Sequence, residues 1–312
     1  MRLLVLGAGG IGGYFGGRLA EAGADVTFLV RSRRREQLER DGLCVNSPLG
    51  NLKLRVKTVD ASALRPDFDL VLFTCKAYDL DSAMDAIAPA MGGSCCVLPM
   101  LNGIAHMQQL EERFGREAVM GGTCVINVTL TPDGVIHHVG AMQRVVFGER
   151  DRTRSARAQV FADTIARTTV EWELADDIEQ NLWEKIVGLS ALAATTCLFR
   201  ANVGEILSSA GGRAAWERTL ATNVAIATRE GHPPREAALA FSRSLFADPA
   251  SVFTASMLRD LESGGRVESD HVVGWMLDKA RAHGLDDTML SLAFTHLKAY
   301  EARRAAGRLP FS

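Results

Sequence analysis

"RLLVLGAGGIGGYFGGRLAEAGADVTFLVR", residues 2–31, decides the fold. It reads as a strand, a glycine-rich turn, a helix and a second strand. Gly7, Gly9 and Gly12 satisfy the spacing G-x-G-x-x-G, which is weak evidence alone. Its context, directly after an apolar strand and at the head of a helix that leads to a strand at Asp25, is that of a dinucleotide-binding β-α-β unit. Gly7 permits the tight turn, Gly9 has no side chain to obstruct a pyrophosphate, and Gly12 lets the helix approach the strand. Gly10 and Ile11 complete the first helical turn, whose backbone N–H groups and dipole favour anionic phosphates. Gly13, Gly16 and Gly17 exceed the motif and are assigned to close helix packing. The structural alternative is a glycine-rich packing turn with no ligand.

Cofactor preference is read where the second strand ends. NAD-binding units usually place Asp or Glu there to accept from the ribose hydroxyl. Here the strand runs into Arg31, followed by Ser32, Arg33, Arg34 and Arg35. An arginine at that point suits a 2′-phosphate through a planar, charge-assisted fork. The expected cofactor is therefore NADPH/NADP+, with Arg33, Arg34 and Arg35 read as an exposed helix face.

The pattern continues outward from this unit. Strands are expected at 2–6, 25–30, 52–59, 69–75 and 94–100, with helices at 11–23, 79–91 and 104–114. Such alternation implies a mostly parallel sheet covered by helices. Residues 119–148, with the turn "TPDG", read as antiparallel strands. From about residue 176 only helices are expected: 176–199, 212–231, 233–246, 267–284 and 287–305, separated by breaks such as "REGHPP" and "DPAS". The division is an α/β domain over 1–174 and an all-helical domain over 175–312.

Composition narrows the function. The chain has 312 residues and a formal net charge of −2, which argues against a nucleic-acid binder. The apolar start breaks into glycines, unlike a signal peptide. The apolar run 186–199 is too short to span a bilayer and contains Gly, Ser and Thr. The six cysteines form no C-x-x-C pair and are expected to be reduced core residues of a cytoplasmic protein. No Cys/His spacing suggests a metal site, and the scattered histidines receive no catalytic role.

Several short motifs then carry a resemblance spanning essentially the whole chain: GAGGIGG (7–13), Arg31, CKAYD (75–79), LNG (101–103), LWEKIV (182–187), SML (256–258) and GRVESD (265–270). In this order and spacing the chain resembles the ketopantoate reductase (2-dehydropantoate 2-reductase) family. The resemblance implies a Rossmann-like N-terminal domain and an all-α C-terminal domain of the 6-phosphogluconate dehydrogenase C-terminal type. It implies reduction of a small 2-oxo acid by NADPH, in pantothenate biosynthesis, and leaves a homodimer possible.

The resemblance makes Lys185 the catalytic lysine. Read from residues alone, a lysine at that position would most simply snorkel to solvent. Among apolar neighbours its charged form is disfavoured, which suits a proton donor to an alkoxide. Glu268 is implied to contact substrate and help set the lysine, with Asp270 as support. Ser256 is implied to meet the substrate carboxylate, with a helix cap as the alternative. Asn102 would help position nicotinamide and substrate, and Lys76 would lie near the cofactor.

Three positions depart from the pantoate-forming pattern. Asparagines expected one and two turns beyond the lysine are Leu189 and Ala193, and a third, three residues before the serine, is Phe253. At i+4 and i+8, Leu189 and Ala193 share a helix face with Lys185 and are expected to look into the same cleft. A buried hydroxyl without partners costs about 1–3 kcal/mol, so ketopantoate should bind poorly and a bulkier or less polar 2-oxo acid is expected. The alternatives are the same scaffold acting on another ketone or ring carbonyl, and a non-catalytic NADP(H)-binding regulator.

Overall fold

The computed structural model describes residues 1–309. They divide into two compact units, Met1–Leu101 with His106–Glu179, and Asn102–Ala105 with Gln180 onward. The first is an α/β, Rossmann-like unit and the second is helical.

The α/β unit contains β1 (Arg2–Leu6), α1 (Gly10–Glu21), β2 (Asp25–Leu29), α2 (Ser32–Asp41), β3 (Leu43–Asn46), β4 (Leu52–Leu54), β5 (Lys57–Val59), β6 (Leu70–Phe73), α3 (Leu80–Ile87), β7 (Cys96–Pro99), α4 (His106–Phe114), β8 (Gly121–Leu130), β9 (Val135–Gly148), α5 (Ala156–Ile165) and β10 (Glu171–Leu174). One sheet has the order β5-β2-β1-β6-β7 and is parallel throughout. Its central strands, such as "LLVL" and "LVLF", are buried along their length, as expected of a sheet covered on both faces. The second sheet runs β10-β9-β3-β4, with β8 antiparallel to β9.

Helix α1 lies between the two sheets, and this accounts for its glycines. A Cβ at Gly12 would meet Thr74 Oγ1 at 2.3 Å and the Gly7 carbonyl at 2.4 Å, and one at Gly16 would meet Phe28 at 2.8 Å. On the other side, Gly13 would strike Ile136 at 2.3 Å and Gly17 would strike Leu43 and Leu52 at 2.9 Å. Two i,i+4 pairs thus bring the helix backbone against both layers.

Several expected elements are corrected. The run 52–59 is two strands, because β4 pairs with β3 in the second sheet and β5 with β2 in the first. Alternation continues through the break, since period two reports the buried face and not the neighbouring strand. The pieces expected around "VIHHVG" and "QRVVFGE" are the single strand β9, facing a register shift between Ile126 and Val128. Strands β3 and β10 and helix α5 are additional to the sequence reading.

The helical unit contains α6 (Ile178–Phe199), whose first two residues fall with the α/β unit, α7 (Val203–Ser208), α8 (Gly212–Arg229), α9 (Glu236–Leu245), α10 (Ser256–Glu262), a π-helical stretch Asp270–Gly274, α11 (Trp275–Ala282) and α12 (Thr288–Ala305). Helix α6 is long and apolar enough to cross a membrane, but 67% of its apolar window is buried in the fold, so it packs as a core helix. Trp183 stacks on His232 at 5.5 Å and lies 5.2 Å from Trp275. Asn223 on α8 donates to the Val187 carbonyl at 3.0 Å.

Candidate functional site

In the α/β unit, the turn after β1 opens onto a cleft of about 920 Å³. Its walls include Gly7–Gly9, Arg31 after β2, Asp60 after β5, Thr74 and Cys75 after β6, and Leu130–Pro132 at the end of β8. Ligands of open α/β sheets bind at this carboxyl edge. Gly7 has φ +86°, in the left-handed region, and Gly9 an ordinary φ of −80°. A Cβ at either would meet nothing within 4 Å. Packing therefore accounts for Gly12 and Gly13 but not for Gly9, whose missing side chain faces open space. That opening and the N-terminal turn of α1 fit an anionic dinucleotide.

The remaining candidates of this group are placed differently. Gly10 abuts Val128, Ile11 packs against the core, and Gly12 seats α1 on β1. Lys76 stands beside the wall residue Cys75, at the start of a short 3-10 turn. Arg31 is exposed at the N-cap of α2. Arg34 is not on an exposed face as expected: it is half-buried, and its guanidinium donates to the carbonyls of Ala8 and Gly134. Arg35 pairs instead with Glu39 at 2.8 Å and Asp60 at 2.9 Å. Sequence reasoning missed the contribution of Leu130–Pro132. The turn "TPDG" was visible, but no local signal assigns it to this cleft.

In the helical unit, Lys185 Nζ donates to Asn102 Oδ1 at 3.3 Å. Asn102 lies three residues beyond the end of β7, in the segment Asn102–Ala105 that belongs with the helices. Next to it, Gly103 has φ +86°, and a Cβ there would lie 2.7 Å from the His271 carbonyl. The segment therefore joins the lysine of α6 to the π-helical stretch. Glu268, only 6% exposed, stands two residues ahead of that stretch. Such local widening of a helix often marks functional positions. Asp270 pairs with Lys298 at 3.0 Å. Glu184, the residue before Lys185, is held by Arg235 through bonds of 2.7 and 2.6 Å. Burial raises the Glu184 pKa, but the bonds from Arg235 and Gln180 prevail and the net displacement is downward.

Ser256 is the first residue of α10, half-buried, while Ala255 is the N-cap. Phe253 is 40% exposed and Leu189 half-buried. Ala193 departs from expectation: it is 1% exposed and packed within the helical core. The i+8 spacing keeps it on the stripe of Lys185, but α6 is buried on every side from Ser190 to Cys197. No ligand can reach it without displacing core side chains. Among the described residues, no cluster of three His, Cys, Asp or Glu could hold a metal.

A Rossmann-like unit with an open glycine turn, followed by a helical unit carrying a lysine–asparagine pair, defines a class of oxidoreductase. The chain belongs to the ketopantoate reductase PanE/ApbA family, matching its N-terminal part over residues 3–152 and its C-terminal part over 177–301. It is 35% identical to the uncharacterized oxidoreductase YkpB of Bacillus subtilis, over 97% of this chain and all of that one. It is 28% identical to the 2-dehydropantoate 2-reductase of Halobacterium salinarum, over 91% and 94% of the two chains. The crystal structure of a PanE/ApbA family ketopantoate reductase from Ralstonia eutropha superposes with TM-score 0.87 at 26% identity, covering 98% and 100%. A D-mandelate dehydrogenase solved with NADH and anilino(oxo)acetate shares the fold, with TM-score 0.88 at 20% identity and the same coverage.

Proposed function

We propose that the chain reduces a 2-oxo acid with NADPH, and that the favoured substrate carries a less polar side chain than ketopantoate. Residues 1–174 hold the cofactor and 175–312 supply the proton donor and the substrate contacts. The observation that carries this reading is the bond from Lys185 to Asn102, which gives an ammonium group a fixed amide partner next to Gly103, which packs against the π-helical stretch that follows Glu268.

When bound, the nicotinamide supplies a hydride to the keto carbon. The chain's own groups do the rest. Lys185 donates a proton to the oxygen as it becomes an alkoxide, and before that its charge stabilises the developing anion. Asn102 holds the ammonium through its carbonyl oxygen. Ser256, at the start of α10, suits the substrate carboxylate, because both its hydroxyl and the first helical N–H groups can donate. Arg31 favours the 2′-phosphate of NADPH. Leu189 and Phe253 offer no hydrogen bond to a terminal hydroxyl, which disfavours ketopantoate and tolerates a branched or aromatic side chain.

The test is NADPH consumption with three 2-oxo acids: ketopantoate, a branched aliphatic one and an aromatic one. The expected order places either apolar acid above ketopantoate in kcat/KM. Lys185→Ala should lose about 10²–10⁴-fold in turnover, the range for a positioned proton donor, and still bind NADPH. Absence of turnover with every acid, or an unaffected Lys185→Ala, overturns the reading. Tight NADPH binding without turnover would favour a regulator instead.

A further inference from the structure

One side chain of α2 joins the glycine turn to the β8–β9 turn. Arg34 Nε donates to the Ala8 carbonyl at 3.0 Å, inside the glycine turn. Its Nη1 donates to the Gly134 carbonyl at 3.0 Å and to Gln37 Oε1 at 3.0 Å. Gln37 Nε2 in turn donates to the Pro132 carbonyl at 3.1 Å. The approach is tight: Gly134 has φ +91°, and a Cβ there would lie 2.6 Å from Arg34 Nη1 and 2.8 Å from Gln37. Leu130, Thr131 and Pro132, just ahead of these contacts, form part of the cleft wall, as do Arg34 and Gln37.

We propose that Arg34 is a positioning residue for the dinucleotide, a clamp that sets the glycine turn and the β8–β9 wall together. This rests on the cofactor reading above. In a trans peptide the carbonyl and the following N–H point in opposite directions. Holding the Ala8 carbonyl against Arg34 therefore fixes the Gly9 N–H on the opposite edge of the same plane. Released, that peptide can rotate and present an oxygen lone pair to the pyrophosphate where a donor is needed. The clamp needs two donors in one plane, on Nε and Nη1, reaching carbonyls of different elements. A guanidinium has that geometry and an ammonium does not.

The consequence separates Arg34 from Arg31. The pyrophosphate is common to both nicotinamide dinucleotides, so loss of the clamp weakens NADPH and NADH alike. The decisive variants are Arg34→Lys, which keeps the charge and loses the fork, and Gly134→Ala, which keeps Arg34 and drives a methyl group into it. Dissociation constants for NADPH and NADH are measured by fluorescence titration, beside kcat at saturating NADPH and the thermal midpoint without ligand. Each variant should bind both dinucleotides about tenfold more weakly, the scale of one charge-assisted bond, with kcat unchanged within about twofold.

Wild-type-like binding by Arg34→Lys would mean that charge alone matters, and overturns the clamp. Unchanged binding by Gly134→Ala would uncouple the β8–β9 turn and overturn it as well. A loss confined to NADPH would assign Arg34 to the 2′-phosphate and likewise overturn it. If Gly134→Ala does not fold, Gln37→Leu takes its place with the same expectation. A wild-type protein that binds neither dinucleotide removes the cofactor reading itself, an outcome distinct from variants that bind as well as wild type.

Discussion

Gly9, Gly12 and Arg31 put the division between folding and the proposed cofactor binding to the test at single residues of the α/β unit. Gly9 has no positive φ and no neighbour within reach of a Cβ, so the fold tolerates alanine there. On the proposed cofactor reading, a methyl group would nevertheless occupy the space through which a pyrophosphate would approach the backbone. Gly9→Ala should therefore leave the thermal midpoint of the unliganded protein nearly unchanged and weaken NADPH and NADH together. Gly12→Ala should lower the midpoint, because its Cβ would strike the Gly7 carbonyl and Thr74. Arg31 is exposed at the end of β2 and lines the cleft. Arg31→Ala should weaken NADPH by roughly ten- to a hundredfold, as expected for a lost bond to a charged group, and leave NADH binding unchanged. Equal losses for the two cofactors would deny Arg31 the 2′-phosphate. The packing role of Gly12, Gly13, Gly16 and Gly17 was legible in residues 7–17, and the structure shows the contacts it requires. The role of Arg34 was not legible: one basic residue among four looks solvated until the fold brings Gly134 to it from a hundred residues away.

Helix α6 marks the limit of reading at the scale of the element. Its apolar character and position were plain, and the spacing of Lys185, Leu189 and Ala193 placed them on one stripe. What the stripe meets was not plain, because periodicity reports faces and leaves depth undetermined. The N-terminal half of α6 alternates buried and half-buried residues, and after Leu189 the helix is buried from Ser190 to Cys197. The same limit hid the split of 52–59 between two sheets, and it hid β3 and β10, which are short and gain their meaning from pairing with β9. Restoring asparagine at the two positions should accordingly have opposite effects. Leu189→Asn, at a half-buried site, should raise kcat/KM for ketopantoate relative to an apolar 2-oxo acid. Ala193→Asn buries an amide in a packed core and should cost about 1–3 kcal/mol for its unpartnered groups, plus the strain of overpacking. Urea unfolding of the two variants, beside their ratio of kcat/KM values, checks both. A stable Ala193→Asn with improved ketopantoate reduction would show that the core opens there when substrate binds.

Across the whole molecule, thiols are among the deeply buried titratable groups of both units. Cys95 and Cys96 lie in the α/β unit and Cys197 in the helical unit, and none of the six cysteines is bridged. Burial pushes the Cys95 thiol from 9.0 up to about 11, and the Cys96 and Cys197 thiols up to about 12. The sign follows from linkage. Folding raises these values, so the folded chain holds protons that the unfolded chain releases above 9.0. The stabilisation is complete below that pH and is lost as pH rises through 9 toward 12. For each fully protected thiol the slope approaches about 1.4 kcal/mol per pH unit, and less for Cys95, which is the least buried of the three. Urea midpoints should thus be flat with respect to these groups up to about pH 9 and fall beyond it. Cys197→Ala should show a shallower fall than wild type above pH 9, even if its midpoint at neutral pH is lower because a core sulfur is missing. An identical alkaline slope in wild type and Cys197→Ala would mean that the helical core opens to hydroxide before its thiol is forced to ionise.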